Sequence, residues 1–286
     1  VHSPEWSVRM KKIAEYGEHR VIAGDYKSFD GRMSPRFMLM AFKIIMKLCE
    51  KSGNFDAEDL RCIRGIATEV CFPVVDYFGT LVKFQGSNPS GHPLTVVINS
   101  LVNSLYMRYA YYEIARKDRW RRTPLYCYVV KTYNYGDDNI NGVKKGYSQI
   151  NHTRISAELA EADIEYTMAD KDAKSVPYIS LSEAGFLKHK AIWDPELELY
   201  RAQIEPDSIA KMLYCHVRSK VMTPEEHSAE AIHNVAAKYF DYGREVYTKR
   251  VEQLHKLAHE CGLSGYVGTL PSYDVRLALY KDKFDL

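Results

Sequence analysis

Between two strand-like stretches, YNYGDDNING (133–142) sets two carboxylates, Asp137 and Asp138, side by side at the tip of a hairpin. Adjacent like charges repel, so any fold that keeps this turn must bring something positive against it. Gly-Asp is ordinary turn chemistry, and the tripeptide by itself reads first as a solvated surface turn. The flanks weigh against a solvated surface turn. TYNY and NING are more β-prone and aromatic than a solvated loop.

A third acid belongs with these two. RVIAGDY (20–26) reads as a short buried strand that ends on Asp25. Strands of one sheet can set their ends together although the chain between them is long. Three carboxylates gathered in that way form an oxygen-only donor set, which suits Mg²⁺. Two such ions about 4 Å apart are the apparatus of in-line phosphoryl transfer.

The remaining pattern places these acids in an α/β frame. SPRFMLMAFKIIMKLCEKSG (34–53) reads as a helix, with Ser34 as N-cap, Pro35 in the first turn and Gly53 as the stop. EVCFPVVDYFGTLVKFQG (69–86) reads as a hairpin turning at Asp76–Gly79, and residues from Pro93 to about 117 as a long helix. A strand is expected over 126–133 and its return over 139–143. A helix over 148–161, a strand over 164–168 and a hairpin of 186–194 with 196–204 follow. After Pro206 the period is helical only.

Composition narrows the class. The formal charge of +2 and pI near 8.1 leave room for a polyanion site only as a local groove. Six scattered cysteines without a C-x-x-C pair argue against a disulfide framework or zinc knuckle. No apolar run is long enough to span a bilayer, and there is no D-x-[DN]-x-[DN]-G-x₅-E calcium loop. The chain starts on VHSPEW, without an apolar leader or a methionine, and reads as a piece of a longer polypeptide.

GDYKSFD (24–30), GSNPSGHPLTVVINS (86–100), YGDD (135–138), ADK (169–171) and FLKHK (186–190) occur in that order. Together they resemble motifs A to E of viral RNA-dependent RNA polymerases, the picornavirus-like enzymes above all. The resemblance implies an α/β polymerase palm with an antiparallel, RRM-like sheet and packed helices. It assigns 1–44 and 89–204 to the palm, 45–88 to a partial fingers insertion and 205–286 to a helical thumb.

The resemblance also implies roles. Asp25 and Asp137 would be the principal metal ligands and Asp138 the second acid of its turn. The Tyr26 carbonyl would be an auxiliary ligand, and the cofactor two Mg²⁺ (or Mn²⁺) ions. Asp30 and Asn99 would read the ribose 2′-OH; from the residues alone, Asp30 is equally a helix N-terminal charge. Ser90, Gly91 and Thr95 would contact sugar or base pair. Lys171 would protonate the departing pyrophosphate, with a solvated lysine and Lys174 in another register as the alternatives. Phe186, Leu187 and Lys188 resemble the primer-gripping hairpin, although His189 stands where the family more often has Arg. Asn103 is read as a helix polar residue bonded to neighbours. HVRSK (216–220) and YTKR (247–250) are candidate phosphate contacts of the thumb, with plain helix surface charge as the preferred reading.

The implied partners are an RNA template, primer or product, NTPs and other viral replication proteins. The implied location is the host cytoplasm, at membrane-associated replication complexes reached through partners. The basic motif F and most of the fingers are expected upstream of Val1, outside this chain. A reverse-transcriptase-like palm is the near alternative, and Asp30 with Asn99 argues against it. A catalytically inactive RNA-binding fragment is the other, with weak NTP binding and little synthesis from this piece alone.

Overall fold

The computed structural model describes residues 2–89, 91–169, 173–215 and 219–285. The chain divides into two compact units, Ile13–Ser180, and Val1–Lys12 with Leu181–Leu286.

The first helix, α1 (Pro4–Ala14), is followed within Ile13–Ser180 by β1 (Val21–Tyr26), α2 (Pro35–Ser52) and α3 (Ala57–Cys71). A hairpin of β2 (Val74–Tyr77) and β3 (Thr80–Lys83) leads to the long helix α4 (Thr95–Lys117). Next come a single helical turn, α5 (Tyr126–Val129), then β4 (Val130–Tyr135), β5 (Asp138–Val143), α6 (His152–Ala160) and β6 (Tyr166–Thr167). The main sheet is antiparallel in the order β4-β5-β1-β6. Its register aligns Val21 with Gly142 and Gly24 with Asn139.

Successive residues of a strand face opposite sides. Ile22 and Tyr26 therefore share one face, which packs with Ile98, Val102 and Tyr106 of α4 and with Met38 and Phe42 of α2 in a single buried cluster. On β5 that same face is polar and still buried. Asn139 accepts from the Tyr166 hydroxyl at 2.9 Å and from the Asn141 amide at 2.8 Å, while Asn141 accepts from Thr132 at 2.5 Å. Asp25 faces the other way.

Several boundaries differ from the sequence expectation. Residues 69–71 close α3 and do not open a hairpin. Asp56 and Asp59 form a capping box, and the helical spacing of Leu60, Ile63, Ala67 and Val70 carries the helix on until Pro73. Residues 126–129 wind one helical turn, which sets Tyr126 and Val129 on one buried side before the strand begins at Val130. The helix expected from Ser148 starts after Asn151, whose side chain accepts from Arg154 N at 3.0 Å. The strand expected over 164–168 keeps only Tyr166–Thr167. The caps of α2 match: Ser34 is extended, Pro35 opens the helix, and Gly53 ends it in the left-handed region that suits a helix stop.

The unit of Val1–Lys12 with Leu181–Leu286 holds a three-stranded antiparallel sheet, β7 (Gly185–Phe186), β8 (His189–Asp194) and β9 (Leu199–Ile204). The expected single hairpin is thus split by an extra turn at Leu187–Lys188. Helices α7 (Pro206–Tyr214), α8 (Pro224–Tyr239), α9 (Arg244–Glu260), α10 (Ser264–Val267) and α11 (Tyr273–Phe284) follow. Ile209, Ile232, Val235 and Leu254 form their core. Buried Arg201 ties β9 to the helices: it pairs with Asp194 and donates to Phe240 O at 2.6 Å and to the Tyr273 hydroxyl at 2.7 Å. Among the described residues no helix is long and apolar enough to cross a membrane.

Candidate active site

The register that pairs Gly24 with Asn139 brings Asp25 level with Asp138 one step further along the ladder. Opposite residues of an antiparallel pair share a face. Asp25 and Asp138 are both half-buried there, and Asp137 is exposed at the tip. Asp25 Oδ1 accepts from the Tyr26 backbone N–H at 2.9 Å, which helps to orient its carboxylate. Gly24 permits the close packing just before the acid. A Cβ there would lie 2.5 Å from both Thr167 O and the Tyr166 ring.

The turn is a two-residue loop, Gly136–Asp137, closed by the Tyr135–Asp138 pair. Gly136 has φ 63°. Glycine takes the first position of such tight loops without steric cost. Helix α4 grips the turn from beneath. Gly136 N–H donates to Ser100 Oγ at 2.9 Å, and the Asn103 amide donates to the carbonyls of Gly136, Asp137 and Asp138 at 3.1, 2.7 and 3.1 Å. Asn103 in turn accepts from the Tyr26 hydroxyl at 3.1 Å. Burial first, then neighbouring tyrosines and the Asp137 charge, push that hydroxyl's pKa well up, so it stays a donor.

The second constellation joins Asp30 and Asn99. The Asn99 amide donates to Asp30 Oδ1 at 2.5 Å, and Asn99 Oδ1 accepts from Asn88 Nδ2 at 2.7 Å. Asn88, 2% exposed, also donates to Thr95 O, and its backbone N–H reaches Asp30 O at 2.9 Å. The expected pairing of Asp30 with Asn99 is therefore present as a direct bond. Asn88 is a member that sequence reasoning passed over. Its position in a Pro/Ser/Gly loop carried no signal of burial.

The Thr95 hydroxyl serves the α4 entry, bonded to Pro89 O at 2.8 Å and His92 O at 2.7 Å. Gly91 has φ 87° and open space where a side chain would stand. Ser90 and Lys171 lie outside the described residues, as do 216–218 of the HVRSK run. Lys174 is exposed.

In the other unit, Phe186 is buried and stacks on Trp6, with ring centroids 6.1 Å apart. Leu187 and Lys188 take φ 54° and 59° at the turn, and Lys188 is exposed. His189 does not replace an arginine's reach. It is buried, its Nδ1 bonds Leu187 O at 2.6 Å, and burial lowers its pKa, so it stands neutral in the hairpin. In the YTKR run, Tyr247 is a core residue, and the neighbouring Thr248, Lys249 and Arg250 are exposed on α9.

The chain matches the family described as viral RNA-dependent RNA polymerase over residues 1–258. It belongs to that family. It is 31% identical to the replicase polyprotein of Cricket paralysis virus over 74% of its own length and 12% of the polyprotein. Against the replicase polyprotein of Drosophila C virus it is 30% identical over 87% of its length and 14% of the relative. The RNA1 polyprotein of Grapevine chrome mosaic virus matches at 31% over 74% of the chain and 9% of the relative. A Sicinivirus 3Dpol RNA-dependent RNA polymerase superposes with a TM-score of 0.74 at 17% identity, covering 99% of this chain and 55% of that one. The mixed α/β architecture with antiparallel sheets is thus a viral polymerase fold. The chain spans a small fraction of its polyprotein relatives and about half of the solved polymerase.

Among the described residues no ready-made group of three or more carboxylate, imidazole or thiol side chains surrounds a cation position. The donor set still suits magnesium. That ion takes one or two carboxylates and completes its shell with water and substrate phosphates, without a full protein cage.

Proposed function

We propose that this chain is the catalytic part of a template-directed RNA polymerase, which joins an NTP to the 3′-OH of an RNA primer or product strand. The reading is carried by one observation: β1 and β5 run side by side, so that Asp25 is level with the acidic turn at 136–138. In this reading Ile13–Ser180 contains most of a palm with part of the fingers at 45–88. The helices beyond residue 205 form a thumb, and Phe186, Leu187 and Lys188 grip the primer.

Asp25, Asp137 and Asp138, with the Tyr26 carbonyl, would hold two Mg²⁺ or Mn²⁺ ions, which lower the pKa of the attacking hydroxyl and steady the leaving oxygens. Asp30 and Asn99 orient one another for the ribose. A hydroxyl that donates to the remaining lone pairs of Asp30 is accepted, whereas a deoxyribose leaves that acceptor unpaired. Ser90, Gly91 and Thr95 would line the sugar. Lys171 would deliver a proton to the departing pyrophosphate.

The test uses the full-length viral polymerase that contains this chain. Asp25→Asn and Asp137→Asn each keep size and remove charge, and are expected to lower primer extension by at least about 10³-fold, the scale on which a lost electrostatic contact to a transition state is felt. Synthesis within threefold of the parent in either variant overturns the proposal. A preference for dNTP over NTP in the parent would instead favour a reverse transcriptase.

A further inference from the structure

Helix α4 carries Thr95, Asn99 and Asn103 at intervals of four, on one face. Four residues of an α-helix rise about 6 Å along the axis, so the three side chains stand one turn above another. Each is bonded to a different segment of the chain. Thr95 holds Pro89 and His92, Asn99 holds Asp30, and Asn103 holds the acidic turn. Asn103 is 0% exposed, and every bond described for its side chain crosses to another element.

An isolated polar residue in a helix is commonly satisfied by its own helix, one turn back, as Ser100 is through Val96 O at 2.7 Å. Asn103 has a more demanding arrangement. Two amide hydrogens are shared among three successive carbonyls, so three peptide planes in a row must turn their oxygens toward α4. With the oxygens committed to that side, the Asp138 side chain projects from the opposite face, the one it shares with Asp25. The same asparagine accepts from Tyr26, the residue that follows Asp25. One side chain therefore touches the backbone of the acidic turn and the side chain of the residue that follows Asp25.

We infer that Asn103 is a positioning residue, which sets the height of the Asp137–Asp138 turn against Asp25 and so the spacing of the carboxylates around a divalent cation. It contacts neither cation nor nucleotide. The inference rests on the proposed role of the acids, and its test separates the two. Partners that orient metal ligands in this way typically alter metal affinity by about 10–100-fold when removed.

Mn²⁺ binding to the full 286-residue chain is titrated by electron paramagnetic resonance, alongside the urea midpoint of each variant. Asp137→Asn establishes the site: the parent binds, and this variant weakens binding at least about tenfold. Asn103→Ala is expected to raise the Mn²⁺ Kd about tenfold. Val102→Ala, one residue away in the apolar core and 0% exposed, is the control for lost stability; its Kd stays within twofold of the parent. Tyr26→Phe keeps the ring and removes only the hydroxyl, and is expected to raise the Kd two- to fivefold. It carries the test if Asn103→Ala does not fold.

An unchanged Kd in Asn103→Ala, or in Tyr26→Phe where that variant stands in, overturns the inference. So does an equal rise in Val102→Ala, which would make Asn103 a matter of stability alone. A parent that fails to bind Mn²⁺, or an Asp137→Asn variant that binds as well, overturns the reading of the acids and the inference with it.

Discussion

Replacing Asn99 with alanine removes the centre of a three-residue chain of hydrogen bonds. Asn99 donates to Asp30 and accepts from Asn88, so truncation leaves both neighbours short of a partner. Asn88 is buried and cannot turn to water. Its orphaned N–H therefore costs about 1–3 kcal/mol. Asp30 is half-buried and partly rehydrates. That limits the loss of its charge-assisted bond to about 1 kcal/mol. The two losses together come to about 2–4 kcal/mol. With an m-value of about 2 kcal/mol/M, the urea midpoint of the unit that holds α4 falls by about 1–2 M. Because the residues touch, Asn88→Ala and Asn99→Ala should not add: the double variant should be milder than the sum by about 1 kcal/mol. In the full-length polymerase, Asn99→Ala should also lose most of its preference for ATP over dATP. A stability loss below about 0.5 kcal/mol together with strict additivity would refute the network. Full ribose preference in a folded Asn99→Ala enzyme would refute its assignment to the sugar.

Gly24→Ala forces a methyl to within 2.5 Å of Thr167 O and of the Tyr166 ring. Such overpacking should cost at least about 1–3 kcal/mol in urea unfolding. His152 is buried, stacked on Tyr166 with ring centroids 5.0 Å apart, and burial lowers its pKa. The unfolded chain therefore takes up that proton first. The contribution of His152 to stability is complete above the ordinary histidine value of about 6.5 and is lost as pH falls through the folded pKa. Unfolding free energy should decline from pH 7 toward pH 5, with His152→Gln reducing the slope and the similarly buried His189 contributing in the same direction.

The acids were legible because their chemistry is local. Asp137 and Asp138 adjoin in sequence, Gly136 marks the turn, and Asp25 ends an apolar run. The ends of α2 were equally plain: Ser34, Pro35 and Gly53 frame that helix where the structure has it. Boundaries failed where burial overrode β-propensity. Val70 and Cys71 look like strand residues, yet they finish an amphipathic face begun at Leu60, and Tyr126 and Val129 wind a turn that buries both. The split at Leu187–Lys188 was hidden for a different reason. Two non-glycine residues take positive φ there, which turn propensities discourage and only the surrounding hairpin enforces.

The burial of the asparagines was illegible from pattern alone because their partners are remote. Asn88 and Asn103 read as loop and helix polarity, Asn99 stands out only through the motif resemblance, and periodicity counts all three against burial. All three are nonetheless buried, each with partners supplied by other segments of the chain. Leucine at the same positions would fill space better, but apolar attraction is non-directional and would leave peptide planes free to rotate. A hydrogen bond weakens steeply when it is misaligned, so an amide fixes orientation as well as distance. A turn that must hold two like charges against a third needs orientation more than cohesion. That need accounts for buried polar residues along the one helix face that touches Asp30, Tyr26 and the acidic turn.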